Sequence, residues 1–321
     1  MNKKRRAIIA ANEVSELKTY TLGGYPQKVL IEGRNRSNPI VIFLHGGPGS
    51  PIPFNEGCRG LFPEITDQFI MVYWDQLGCG INNHVIDESF TIDCFVNMTI
   101  DLIRQIRDEY PDNKINIFGM SWGSILAAKV ATIVPELIHR IVIFGQVLKE
   151  LAFNNEVFEA LEKSKMPGKY KDKLNFMKES SALNYENVTA LFKWINRYTE
   201  GYMSKKGGRP PFGPIIRGII TSPDYSMKDF KAIIKNGYAK NRSLTNELIA
   251  IDLSETLEAI SVPYLILQGD TDIVTSTKMI SNFVETVNNS NLHYQLVDNS
   301  GHIPSSRGME AIINTGFGFF T

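Results

Sequence analysis

The segment Lys114-Ile-Asn-Ile-Phe-Gly-Met-Ser-Trp-Gly-Ser124 decides the fold. It opens with an apolar strand pattern, and a small-residue helix pattern continues to Thr132. Between the two patterns lies Gly119-Met-Ser-Trp-Gly123, a G-x-S-x-G motif whose glycines permit a sharp turn from strand to helix. Such a turn lifts the serine side chain above the sheet edge, which makes Ser121 a candidate nucleophile.

Apolar runs on both sides of this segment predict a sheet. Runs without polar alternation are typical of strands buried on both faces, and they lie at 39–44, 69–74 and 138–144. The strand pattern returns at 262–268 and resumes at 292–297. A helical pattern at 91–109 separates two of these runs, and alternating segments at 17–22 and 27–32 predict an antiparallel hairpin. We therefore expect an α/β protein with a mostly parallel sheet and helices on both faces.

Residues 149–251 interrupt the alternation of strands and helices. This region is rich in lysine and helical patterns, and no buried strand is obvious in its sequence. The pattern predicts a helical cap inserted between two parts of one core, at 1–148 and 252–321. Caps commonly cover a pocket above the carboxyl ends of the strands.

Composition narrows the class of protein. Lys plus Arg and Asp plus Glu both number 34 in 321 residues, so zero net charge gives no reason to expect a nucleic acid or membrane partner. The basic N-terminus, Met1-Asn-Lys-Lys-Arg-Arg6, precedes too short an apolar stretch for a signal peptide and is expected to be a solvated tail. The three scattered cysteines have no zinc spacing, and no nucleotide motif is present, which favours a cytoplasmic protein without metal or cofactor. The oligomeric state stays open.

A serine nucleophile needs a base, and His302 is the best candidate among five histidines. It follows the last predicted strand directly, at the same sheet edge as Ser121; the alternative is an exposed loop histidine. Two aspartates in Gly269-Asp-Thr-Asp272 follow the preceding strand, and either Asp270 or Asp272 fits the chain order of a catalytic triad. Each could instead cap the following helix.

The glycine loop His45-Gly-Gly-Pro-Gly49 lets the backbone approach Ser121 closely. A tetrahedral oxyanion needs two fixed N–H donors. The amide of Trp122, the residue after the nucleophile, supplies one, and we favour Gly47 for the other, with Gly46 as the alternative. The loop could also be only a tight turn that ends a strand.

Taken together, these motifs resemble the α/β-hydrolase fold, and more narrowly the proline iminopeptidase family of serine peptidases. The motifs are His45-Gly-Gly-Pro-Gly49, Trp74-Asp-Gln-Leu-Gly-Cys-Gly80, Gly119-Met-Ser-Trp-Gly-Ser124, Gly269-Asp-Thr-Asp272 and Gly301-His302. The resemblance implies that Ser121, Asp272 and His302 form the triad, and it is the main reason to prefer Asp272 over Asp270. It also implies release of an N-terminal residue, often proline, from small peptides without a metal or cofactor.

The sequence departs from the family pattern where the substrate would bind. Leu77 replaces the usual Arg, and the cap lacks the Trp-Glu pair whose carboxylate holds the substrate amine, since Ile195 follows Trp194. The nearest acid–glycine pair starts at Glu200, a candidate amine anchor whose alternative is a solvated helix-end glutamate. Candidates for contact with substrate also include Gly46 and four aromatic cap residues, which could equally be cap core: Phe192, Trp194, Tyr198 and Tyr202.

Three functional hypotheses follow. The leading one is a serine hydrolase that releases proline or another small apolar N-terminal residue from short peptides through an acyl-enzyme. The nearest alternative keeps the triad but acts on a carboxylic ester or another amide. The third is a hydrolase-fold protein that binds a small molecule without catalysis.

Overall fold

The computed structural model describes residues 1–180, 183–210, 212–235, 238 and 241–321. These residues form one eight-stranded sheet in the order β1-β2-β4-β3-β5-β6-β7-β8, in which β2 pairs antiparallel with β1 and β4 and all other pairs are parallel. The strands are β1 (Val14–Leu22), β2 (Tyr25–Gly33), β3 (Ile40–Leu44), β4 (Ile70–Tyr73), β5 (Ile115–Met120), β6 (Arg140–Phe144), β7 (Tyr264–Gly269) and β8 (Leu292–Val297). The predicted mostly parallel sheet is confirmed.

Helices cover both faces of this sheet. They are α1 (Lys3–Ala11), α2 (Pro63–Thr66), α3 (Ile92–Glu109), α4 (Trp122–Ile133), α5 (Asn155–Lys163), α6 (Gly168–Ser180), α7 (Tyr185–Tyr198), α8 (Phe212–Ile220), α9 (Met227–Lys235), α10 (Arg242–Ile249), α11 (Ser254–Glu258), α12 (Thr277–Thr286) and α13 (Ser306–Phe320). Alternate residues of β3 face opposite layers, because side chains alternate along a strand. Ile42 belongs to the core with α3 and α4, whereas Phe43 packs in a second core with α13. Apolar layers on both sides explain the unbroken apolar runs.

Helices α5 to α10 lie in residues 149–251, and the described part of this region contains no strand. Isolated bridges join its ends and its middle to the rest of the chain, at Lys149–Asp252 and Met203–Ile303. The division into a core and a cap stays a prediction. Within the described ranges, no helix has the length and apolar character that crossing a membrane requires.

The expectation of a solvated basic N-terminal tail holds for the exposed Lys3, Lys4 and Arg6 but is wrong for Arg5. Residues Lys3–Ala11 form a helix, and Arg5 is buried. The guanidinium of Arg5 donates hydrogen bonds to the carbonyl oxygens of Gly57 at 2.9 Å, Arg59 at 2.6 Å and Gly218 at 2.6 Å. A buried cation is tolerated when its donors are satisfied in this way, and these three acceptors are distant in sequence, so no local pattern reveals them.

A buried carboxyl on β2 gives a testable pH dependence. Both carboxylate oxygens of Glu32 accept from the Gly60 amide at 2.9 Å, and burial raises the Glu32 pKa to about 7. A raised folded-state pKa contributes stability that is present below the unfolded pKa and is lost as pH rises through the folded pKa. We therefore expect the free energy of unfolding of the wild type, relative to Glu32→Gln, to fall by on the order of 3 kcal/mol between about pH 4.5 and pH 8.

Urea unfolding at the two pH values measures this difference. The glutamine oxygen can still accept from the Gly60 amide, so the variant removes the titration and keeps the acceptor. The exposed Glu258 supplies the matched control, because Glu258→Gln makes the same chemical change without removing a buried carboxyl. A Glu32→Gln difference that stays the same at the two pH values would contradict the prediction.

Candidate active site

Ser121 lies at the sharp turn between β5 and α4. Its backbone adopts φ 49° and ψ −113°, a left-handed φ that residues other than glycine adopt rarely. The turn is held by hydrogen bonds from the Ser121 amide to the Phe144 carbonyl at 3.0 Å and from the Ser124 amide to the Ser121 carbonyl at 2.8 Å. Strain of this kind persists only where the surroundings hold it, and it often marks a functional site.

The second glycine of the motif is required by close packing of the turn. A Cβ atom on Gly123 would lie 2.0 Å from the carbonyl oxygen of Leu44 at the end of β3. No side chain fits such a distance. Gly123 therefore lets α4 begin directly against the end of β3, and the sharp turn that the sequence predicts becomes possible.

The three residues of the predicted triad are in contact. The Oγ atom of Ser121 lies 2.9 Å from Nε2 of His302, and Nδ1 of His302 lies 2.9 Å from Oδ2 of Asp272. Asp272 is fully buried and His302 is 8% exposed. Of the two aspartates considered, Asp272 is the one that contacts His302, whereas Oδ1 of Asp270 accepts from the Ser300 amide at 2.9 Å. The geometry allows a proton to pass from Ser121 to His302.

Polar neighbours hold the Asp272 carboxylate in place. Its Oδ1 accepts from the amides of Val274 at 2.8 Å and Thr275 at 3.1 Å. Its Oδ2 accepts from the Thr275 hydroxyl at 2.7 Å and from Nε2 of Gln268 at 3.2 Å. A buried charge needs such partners. The sequence analysis missed Gln268 and Thr275; the only signal was a polar residue at the end of the apolar run 262–268.

His45 fixes the glycine loop rather than serving as a base. Burial lowers the His45 pKa to about 4, so the imidazole is neutral at neutral pH. Its Nδ1–H donates to the Gly46 carbonyl at 2.9 Å, and its Nε2 accepts from the Gln76 amide at 3.1 Å. Gln76 in turn accepts from the indole N–H of Trp122 at 2.8 Å. The loop after β4 thus connects the glycine loop to the start of α4.

The glycine loop passes directly beside the nucleophile. A Cβ atom on Gly46 would lie 3.5 Å from the Ser121 Cβ. Gly47 has φ 118°, and a Cβ there would lie 2.6 Å from the Gly49 amide nitrogen, so this position requires glycine. Trp122 is the first residue of α4, and its N–H therefore has no acceptor within the helix. Gly47 and Trp122 remain our candidates for the oxyanion donors.

A small cavity of about 130 Å³ opens above Ser121 and His302. Its walls are predominantly apolar and come from the glycine loop, the strand ends and the 149–251 region. They comprise Gly46, Gly47, Ser50, Ile52, Met120, Ser121, Trp122, Phe144, Val147, Leu151, Phe192, Tyr202, Leu248, His302 and Ile303. Three predicted substrate contacts, Gly46, Phe192 and Tyr202, are among them. The aliphatic wall residues Val147, Leu151 and Leu248 carried no sequence signal that separates them from ordinary core residues.

Three predicted substrate-binding side chains are placed elsewhere. Trp194 is buried in the 149–251 region, where its ring packs 5.4 Å from that of Tyr170, so it does not line this cavity. Tyr198 also packs against the hydrophobic core. Glu200 is half-buried, and its carboxylate accepts from the Lys205 amide at 3.3 Å instead of lining the cavity.

The part of the chain that the structure describes contains no group of three or more His, Cys, Asp or Glu side chains arranged to hold a metal ion. Its cysteines, Cys58, Cys79 and Cys94, are free thiols, and the first two are buried. Burial raises the pKa of the Cys79 thiol well above its usual value. A thiol held protonated is a weak nucleophile, so Cys79 is a poor candidate for the nucleophile.

Comparison with known proteins agrees with this architecture. Residues 39–306 match the family model for the alpha/beta hydrolase fold. The probable aminopeptidase YbaC of Bacillus subtilis is 22% identical over 308 residues, which cover 94% of this chain and 95% of that protein. A putative proline iminopeptidase of Mycoplasma genitalium is 26% identical over 71% of this chain and 74% of its own length.

A solved structure gives the same result for the fold. The proline iminopeptidase of Mycobacterium smegmatis superposes with a TM-score of 0.60 at 14% identity, covering 94% of this chain and 95% of that one. The family match spans both sides of the 149–251 region and includes the segments that carry Ser121, Asp272 and His302. The chain therefore belongs to the α/β-hydrolase family.

Proposed function

We propose that this protein is a serine hydrolase that forms an acyl-enzyme at Ser121. The observation that carries the proposal is the continuous path of two 2.9 Å contacts from Ser121 through His302 to Asp272 at the floor of a cavity. Nucleophile and base within hydrogen-bond reach, with the base oriented by a third group, are the signature of an activated serine. A protein that only binds a small molecule has no need of this arrangement.

The proposed reaction proceeds in two halves. As Ser121 Oγ attacks the substrate carbonyl carbon, Nε2 of His302 accepts the hydroxyl proton, and Asp272 stabilises the resulting imidazolium. The N–H groups of Trp122 and Gly47 stabilise the oxyanion. His302 then gives its proton to the departing amine or alcohol. A water molecule, deprotonated by His302, cleaves the acyl-enzyme and regenerates Ser121.

For the substrate, we propose short peptides from which an N-terminal residue is released. The support comes from the relatives, since the matched proteins of B. subtilis and M. genitalium are named as an aminopeptidase and a proline iminopeptidase. The cavity of about 130 Å³ suits a compact apolar residue such as proline or alanine. Phe192, Leu151 and Val147 supply apolar contact for such a side chain.

A specific observation favours a second candidate, an ester or amide with an uncharged acyl group. None of the described residues that line the cavity is an aspartate or glutamate. Burying the ammonium group of a peptide N-terminus is unfavourable unless a carboxylate meets it. An uncharged acyl group of similar size has no such requirement.

Matched substrates separate the two candidates. We suggest prolyl and alanyl p-nitroanilides with free and acetylated amines, beside p-nitrophenyl esters of short fatty acids. Cleavage of the free-amine anilides that disappears on acetylation supports the aminopeptidase. Equal or better cleavage of acetylated anilides and esters supports the second candidate and contradicts the first.

Glu200 is the acid that we propose for the amine under the first candidate. It precedes Gly201, whose carbonyl accepts from the His302 amide, but its carboxylate must turn from Lys205 to meet the substrate. Glu200→Gln keeps an acceptor for the Lys205 amide and removes the charge. Because a hydrogen bond to a charged group contributes about 1.5 kcal/mol or more, we expect KM for the free-amine anilides to rise about tenfold.

Ester hydrolysis is the internal control for this variant, since an ester of a fatty acid carries no amine. Its kcat/KM should therefore stay at the wild-type value in Glu200→Gln. An unchanged KM for prolyl anilide would exclude Glu200 as the anchor.

A further inference from the structure

One segment of the 149–251 region, residues 200–208, lies along the two loops that carry Asp272 and His302. In the described part of the chain, four main-chain hydrogen bonds and one from a threonine hydroxyl join it to these loops. The amide of His302 donates to the Gly201 carbonyl at 3.1 Å, and the amide of Ile303 donates to the Tyr202 carbonyl at 2.8 Å. The amides of Ser306 and Arg307 donate to the carbonyls of Gly208 at 3.2 Å and Gly207 at 3.3 Å. The Thr271 hydroxyl donates to the Glu200 carbonyl at 3.2 Å. Two of these donors belong to the proposed catalytic residues or lie next to them. Thr271 precedes Asp272 in the chain, and His302 is the proposed base.

The 200–208 segment passes very close to the backbone of Gly301. A Cβ atom there would lie 2.9 Å from each of three backbone atoms: the carbonyl oxygens of Glu200 and Gly201 and the carbonyl carbon of Tyr202. The residue has no left-handed φ that would otherwise call for glycine. The absence of a side chain at Gly301 therefore serves the contact between the 200–208 segment and the backbone immediately before His302.

The same segment also fixes the far side of His302. Ser306 and Arg307 are the first residues of α13, and the first N–H groups of a helix have no acceptor within the helix. Gly208 and Gly207 supply the acceptors. The chain from Gly301 to Arg307 is thus tied at both ends to the 200–208 segment, with His302 between the ties.

We propose that the 200–208 segment is a positioning element for His302, which makes this edge of the 149–251 region part of the catalytic framework instead of a lid that swings free. The inference rests on the proposed function, since it assigns the segment a role in the chemistry of Ser121. Displacing a catalytic group by about 1 Å can lower the rate by about 100-fold. The segment acts on the position of the base, and through Tyr202 it also forms one side of the acyl cavity.

Gly301→Ala tests the proposal, because the added methyl group can be accommodated only if the backbone of the segment or of residue 301 moves. We expect kcat for an aryl ester to fall about 100-fold, with a much smaller change in KM. The rate constant for Ser121 labelling by a fluorophosphonate should fall in step. Both rate constants are divided by the concentration of active sites, which is determined by titration. Unfolding of part of the protein lowers the number of active sites but does not change the rate per site.

Gly318→Ala is the matched control. Gly318 lies on α13, the helix that follows His302, and a Cβ atom there meets nothing within 4 Å. This variant should keep wild-type kcat and labelling rate. Wild-type values in Gly301→Ala would overturn the positioning role, while an inactive Ser121→Ala would still uphold the proposed function.

A second pair of variants decides the matter if Gly301→Ala does not fold. Thr271→Val removes the hydroxyl that donates to Glu200 O and to Ser300 O, whereas Thr271→Ser retains it. We expect kcat per active site to fall about tenfold in Thr271→Val and to stay near the wild-type value in Thr271→Ser. Equal kcat in the two variants would overturn the proposal. A wild-type protein that neither turns over esters nor labels at Ser121 would overturn the proposed function, and this inference with it.

Discussion

Replacing Ser121 with alanine is expected to lower kcat for aryl esters and aminoacyl anilides by about a million-fold. Oγ is the only atom of residue 121 that lies within reach of Nε2 of His302, at 2.9 Å. Without it, His302 has no hydroxyl to activate and no acyl-enzyme can form. The oxyanion donors and the cavity would remain, and they account for the small residual rate over water seen in such variants of other serine hydrolases.

The fold should survive this substitution. The left-handed backbone at position 121 is imposed by the surrounding hydrogen bonds, and alanine meets the same steric cost there as serine. The melting temperature is therefore expected to stay near the wild-type value. Ser281→Ala on α12, where the serine hydroxyl donates to Glu285, controls for the loss of a serine hydroxyl elsewhere.

Steady-state turnover and fluorophosphonate labelling are the measurements. We expect the alanine variant to bind no label, and the control to label at the wild-type rate. Turnover of either substrate class at an undiminished rate in Ser121→Ala would rule out the proposed mechanism.

The contact among Ser121, His302 and Asp272 was predictable because each of the three residues has a local signature. Ser121 lies in a strand–turn–helix motif, and Asp272 and His302 each follow a strand. Carboxyl ends of parallel strands meet at one edge of a sheet, so chain order and strand position together brought the three residues to one place. The choice between Asp270 and Asp272 could not be made on this basis, because both lie on the same short loop.

Contacts between distant segments were beyond the sequence. Arg5 reads as part of a basic tail because its three carbonyl acceptors lie on other segments. Trp194 was a candidate for substrate contact or for cap core, because the helical pattern shows only that its face is apolar and not which apolar surface it meets. Gly301 enters the sequence analysis only as part of the Gly301-His302 motif, because the segment that it contacts lies about 100 residues earlier in the chain.

Asp272→Asn is the second variant with a large expected effect, about 10⁴-fold in kcat. The asparagine oxygen should take the Oδ1 position, where the amides of Val274 and Thr275 donate. Its NH₂ group then occupies the Oδ2 position and faces Nδ1 of His302. Since an amide NH₂ only donates, His302 must present a lone pair at Nδ1 and carry its proton on Nε2.

This tautomer cannot accept the Ser121 proton, although every heavy atom stays close to its original position. The loss should therefore appear in kcat, with little change in KM, because the cavity that holds the acyl group does not include Asp272. The labelling rate of Ser121 should fall with kcat, since it depends on the same proton transfer.

Asp270→Asn is the matched control on the same loop. Oδ1 of Asp270 accepts from the Ser300 amide, a role that the asparagine oxygen can fill. We expect its kcat within a few-fold of the wild type, because the residue contacts His302 in neither form. If instead Asp270→Asn lost as much activity as Asp272→Asn, the orienting acid would be misassigned. If Asp272→Asn kept most of its activity, Asp272 would not be the group that fixes the tautomer of His302 and stabilises its imidazolium.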